Sequence, residues 1–117
     1  MKLLLIALFL FSSLSALAKP AAICSYIYAK KVIPIAEAHS TNDKNRHCTV
    51  SCMLTLRCPS ADVMMAGALK EIKDLFGPGT ADVEDLVADA VGVDLALFRV
   101  ARTDKQCLKK CDLYYAP

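Results

Sequence analysis

RHCTVSC, Arg46 to Cys52, decides how this chain is to be read. It sets a histidine beside a cysteine and places a second cysteine four residues later. The same C-x-x-x-C spacing returns in CLKKC, Cys107 to Cys111. On a helix, residues four apart share a face one turn apart, so each pair would project from one side. A bond within either pair is poor, because the Cβ atoms lie about 5–6 Å apart and a disulfide wants about 3.5–4.5 Å. Two such helices packed antiparallel solve the problem. Cys48 then meets Cys111 and Cys52 meets Cys107, as two rungs, and Cys24 and Cys58 are left to pair. Six cysteines allow many connectivities and sequence alone does not choose among them; helix geometry favours this one.

An even number of cysteines in a short chain reads as a disulfide framework when the chain is exported, and the N-terminus agrees. It opens MKLLLIALFLFSSLSALAKP, with one lysine, an apolar run from Leu3 to Phe11, and the A-x-A triplet Ala16-Leu17-Ala18. That pattern predicts a secretory signal peptide over residues 1–18, cleaved after Ala18. The apolar run is short of the roughly 20 residues that span a bilayer, and Ile23 before Cys24 argues against a lipid anchor there. Residues 19–117 are expected to form a single helical, disulfide-stabilised domain, secreted or periplasmic, with no transmembrane segment. The full chain carries a net charge of +2, and Lys2 leaves with the signal, so overall charge selects no partner. Twin C-x-x-x-C pairs resemble those of small chaperones of the mitochondrial intermembrane space. In those proteins the pairs flank one short hairpin, whereas several elements separate them here, and no function is carried over.

Proline, glycine and capping residues divide the remainder. Pro20 suits the first turn of a helix running through Ala29, and Pro34 should kink or end it, leaving a short piece from Ile35 to Ala38. Ser40, Thr41 and Asn42 supply a cap for a helix from about Asp43 to Arg57, which carries RHCTVSC. After the Cys58-Pro59-Ser60 break, Met65, Leu69, Ile72 and Phe76 form an apolar stripe at helical spacing, ended by Gly77-Pro78-Gly79. Thr80 caps the next helix, with Val83, Leu86, Val87 and Ala90 as its stripe and Gly92 as a left-handed C′ residue. Residues 93–115 read as helical with a break at Thr103-Asp104. No segment alternates as a strand does. The fold class is all-α, a compact bundle of about five or six short helices cross-linked by disulfides.

Three groups of residues carry candidate chemistry. His47 sits one turn after Asp43, so a small secreted hydrolase could use the two together. Cys48, its neighbour, points about 100° away on a helix and has a better partner elsewhere. Usual zinc spacings are missing and no calcium loop accompanies Asp82, Asp85 and Asp89; no metal or cofactor is implied, and these acids read as a solvated face near a helix start. Finally, Arg99, Arg102, Lys105 and Lys109 recur at spacings of three, three and four, with Lys110 beside them. If the segment is one helix, they share an arc of roughly 60°, opposite Cys107 and Cys111. This stripe points to an anion-binding surface on a non-enzymatic, effector-like protein, its partner being phospholipid headgroups or an acidic protein. Nucleic acid is disfavoured, since no aromatic-basic motif appears.

Overall fold

A computed structural model describes residues 23–77 and 79–117. The signal peptide expected over residues 1–18, Pro20 and Pro78 lie outside the described residues. Among those described the protein is all-α: α1 (Ile23–His39), α2 (Asp43–Thr55), α3 (Ser60–Phe76), α4 (Val83–Leu97) and α5 (Asp104–Tyr114). None is long and apolar enough to cross a membrane.

Helix α2 is central and packs against all the others. It starts where Asn42 accepts a hydrogen bond from the Lys44 N–H at 3.0 Å, the cap its sequence announces. Cys48 and Cys52 are wholly buried on it, bonded to Cys111 and Cys107 of an antiparallel α5. The ends of the ladder are fastened by polar contacts. At one end Arg57 donates to both carboxylate oxygens of Asp104, at 2.8 and 2.7 Å. At the other, Asn45 donates to Asp112 at 2.9 Å and to the Tyr115 carbonyl at 2.7 Å, while His39 meets Asp112 at 2.8 Å. Around the cysteines, Val32, Met53, Leu54, Val63, Val93 and Leu95 complete a small core.

Helix α1 runs unbroken through Pro34, where an interruption was expected. A proline removes one backbone donor and strands the carbonyl four residues earlier. Both Pro34 and Lys30 are exposed, so water can satisfy that carbonyl. The buried positions of α1 are Ser25, Val32 and Ala36, one narrow stripe. Its N-terminus is capped in trans by Asp62 of α3, which accepts the Ser25 N–H at 2.8 Å and the Cys24 N–H at 3.2 Å. Burial works against the Asp62 charge, but these bonds outweigh it and hold the carboxyl below its ordinary range. The Cys24–Cys58 disulfide anchors the same end.

Two expectations about orientation fail. The apolar stripe of α3 faces solvent: Met65, Leu69, Ile72 and Phe76 are all exposed, and Asp62, Val63 and Glu71 are the buried residues. On α4, Val83 and Val87 are likewise exposed, and the acids turn inward. Gly92 is not a C′ residue either, for it lies inside α4 and has no positive φ. A Cβ there would stand 2.1 Å from the Cys48 carbonyl oxygen and 2.9 Å from the Cys52 nitrogen. The glycine lets α4 press directly onto the backbone of α2. The left-handed residue is Arg99, with φ of 60°. Its N–H donates to the Ala96 carbonyl at 3.1 Å, and the Ala101 N–H reaches the Leu95 carbonyl at 2.8 Å.

Candidate functional site

The close approach at Gly92 brings one polar face of α2 onto one of α4. Lys44, His47 and Ser51 are spaced by three and four residues, as are Asp82, Asp85 and Asp89. Lys44 donates to Asp82 and Asp85. His47 places Nδ1 3.0 Å from Asp89 Oδ1 and Nε2 3.3 Å from Asp85 Oδ2. Ser51 donates to Asp89 Oδ1 at 2.8 Å. The two helices therefore run in the same direction along this seam, matched residue for residue. Lys70 of α3 adds a third cation, 3.6 Å from Asp85 and 3.1 Å from Asp74.

Asp85 and Asp89 are thus buried, not solvated as the sequence suggested. Burial would raise the Asp85 pKa; the Lys44 hydrogen bond and the charges of His47, Lys44 and Lys70 outweigh it, and the carboxyl titrates below its usual range. For His47, burial pulls the pKa down, but the Asp89 hydrogen bond and the charges of Asp89 and Asp85 together raise it. Hydrogen bonds to Asp82 and Asp85 hold Lys44 firmly protonated. Each acid has found a cation, which is the condition for burying it.

The pair expected to act together, His47 and Asp43, is held at 3.9 Å, beyond hydrogen-bond length. The histidine's acids come instead from α4. Among the described residues every cysteine is in a disulfide, so Cys48 offers no thiolate. Ser51 shares its acceptor oxygen with His47 and is held as a second donor to Asp89. Asp43, His47 and Asp85 do offer one ligand atom each within 4.8 Å of one another. The ammonium groups of Lys44 and Lys70 already stand on the two oxygens of Asp85, so protein cations neutralise that carboxylate. Sequence reading missed Lys44, Ser51, Asp85 and Asp89 as one unit. The usable signal was the shared three-and-four spacing with complementary charge.

The basic residues make a second locus, different in shape from the one expected. They do not form a single helical face, because α4 ends at Leu97 and α5 begins only at Asp104. Left-handed Arg99 closes α4 and Thr103 starts α5: the Thr103 hydroxyl accepts the Gln106 N–H at 3.2 Å, and Gln106 accepts the Arg102 N–H at 2.7 Å. Arg99 and Arg102 therefore sit in the connection, while Lys105 and Lys109 share the α5 face turned away from its cysteines. These four are exposed and Lys110 is half-buried. No carboxylate of the described residues forms an ion pair with any of the five, since Asp104 and Asp112 are taken by Arg57 and His39. Beside them Leu97, Phe98 and Val100 are exposed, Phe98 to 71%. The chain matches no family model, and neither curated proteins nor solved structures gave a match.

Proposed function

We propose that this is a non-enzymatic exported protein that docks on anionic phospholipid headgroups through the α4–α5 corner. The observation that carries the reading is the combination of Arg99, Arg102, Lys105 and Lys109, free of acidic partners, with an exposed Leu97-Phe98 and Val100. Each basic side chain close to an anionic leaflet contributes about 1 kcal/mol, and apolar side chains entering the headgroup region add to this. The backbone at Arg99 supports the reading. A left-handed residue is cheapest as glycine, and an arginine there costs about 1–2 kcal/mol. Strain of that kind concentrates at working surfaces. Three disulfides suit an extracellular or otherwise oxidising compartment.

The test is co-sedimentation with neutral and anionic liposomes across a salt series, with R102E/K109E in parallel. Binding to anionic vesicles that weakens with salt and is lost in the double variant is expected. Absence of binding at low salt, or equal binding to neutral vesicles, refutes the reading.

A further inference from the structure

Between α1, α2 and α3 lies a cavity of about 500 Å³, within the roughly 300–1,000 Å³ usual for small-molecule sites. It is a slot: its lining follows α1 from Ser25 to Glu37, a helical rise of about 18 Å. Small residues hollow it out, namely Ala29 on α1 and Ala66 and Gly67 on α3, and Val50 and Leu54 of α2 give it an apolar wall. The polar groups deep in the slot are spent or closed off. His47 and Ser51 are engaged with Asp85 and Asp89. Ser25 Oγ and Asp89 Oδ2 have no hydrogen-bond partner, but protein atoms seal both from the cavity, so no ligand meets them. The interior therefore offers apolar contact.

The slot opens between α1 and α3, and an outer groove continues from it. Tyr26, Ala29, Ile33, Leu69 and Lys70 line both. Beyond this shared mouth the groove adds Lys30, Pro34 and Lys73, and no acid of the described residues lines it. Lys70 is committed, lying within 3.6 Å of Glu71, Asp74 and Asp85. Lys30 and Lys73 are exposed and form no ion pair among the described residues; Lys30 rests over the Tyr26 ring, 5.8 Å from its centre. At the far end of the slot Glu37 and Asp43 offset Arg46, and that end selects no charge. Spare cations thus stand at one lip only. The apolar side chains open to water at that lip include Leu69, which its helix leaves 46% exposed.

We propose that this cavity binds a single-chain fatty acid, its alkyl chain in the slot and its carboxylate at the lip that Lys30 and Lys73 share. The chain covers the open apolar mouth, and the carboxylate supplies the negative charge the two lysines lack. The site is separate from the α4–α5 corner and stands whether or not that corner meets lipid.

The test uses the full oxidised protein, followed by amide chemical shifts in NMR titrations with decanoate, 1-decanol and decyltrimethylammonium, each kept below its solubility and micelle limits. Saturable shifts at Ala29, Val50 and Gly67 are expected with decanoate, in the parent and equally in R102E/K109E. Decyltrimethylammonium, with the same tail and the opposite charge, should bind at least about fivefold more weakly, the worth of two exposed ion pairs. K30E/K73E, both surface changes, should weaken decanoate by at least the same factor and leave decanol within about twofold. Ala66→Phe, which fills the slot, should abolish the decanoate shifts. No saturable shift at these amides overturns the proposal. So does equal or tighter binding of the cationic amphiphile, or decanoate affinity unchanged in K30E/K73E. An equal loss of decanol in that variant, or undiminished decanoate binding by a folded Ala66→Phe variant, would do the same.

Discussion

The two rungs between α2 and α5 should be energetically coupled, and the coupling can be worked from chain lengths. Cys48–Cys111 closes 63 residues and Cys52–Cys107 closes 55. Taken singly, loops of that size restrict the unfolded chain by about 4.2–4.3 kcal/mol each. They are nested, however. While one rung is intact, opening the other releases only the four residues on α2 and the four on α5 between them. A loop that short is worth about 2.5 kcal/mol. Removing the first rung as C48A/C111A should therefore cost about 2.5 kcal/mol in chain entropy, and removing C52A/C107A afterwards about 4.2 kcal/mol. Packing lost with each pair of buried sulfurs adds to both steps and largely cancels in the double-mutant cycle. Urea unfolding followed by far-ultraviolet circular dichroism would give the four stabilities. The expected excess of the quadruple variant over the summed pairs is about 1.7 kcal/mol. Additivity within about 0.5 kcal/mol would refute the nested-loop argument.

Gly92→Ala forces a methyl group onto the Cys48 carbonyl and should destabilise by at least about 3 kcal/mol, beyond ordinary helix propensity, measurable in the same urea assay. A loss under about 1 kcal/mol would mean that α4 does not press on α2 there. His47 binds its proton more tightly when folded than in the unfolded chain, where it titrates near 6.5. Its contribution is complete below that pH and is lost as pH rises through the folded value. His47→Gln should lower stability at mildly acidic pH by about 1.5–3 kcal/mol and remove this alkaline loss; an unchanged pH profile would contradict the buried ion network. Arg99→Gly should raise stability by about 1 kcal/mol by relieving the left-handed backbone, while weakening binding to anionic liposomes. Equal stability would argue against strain at Arg99, and equal binding against its role at the membrane.

Helical class, the main breaks and the face-sharing of the cysteines are local properties, and the chain states them openly. Asn42 caps α2, Thr103 starts α5, and C-x-x-x-C on each helix sets two sulfurs one turn apart; all of this depends on residues within a few positions of one another. The facing direction of a periodic stripe is a different kind of quantity. Met65, Leu69, Ile72 and Phe76 share one side of α3 by spacing alone, but whether that side is covered depends on what arrives from elsewhere in the chain. At α4 the cations of α2 decide it. Lys44 and His47 turn Asp85 and Asp89 inward and leave Val83 and Val87 outside, because a paired, hydrogen-bonded carboxylate can be buried and an unpaired one cannot. Gly92 shows the same division: its sequence position suggested a helix end, and only the backbone of α2 two ångströms from its absent Cβ makes it an interior contact. Local order came from neighbours in sequence, while the burial of each face was decided by partners brought together through folding.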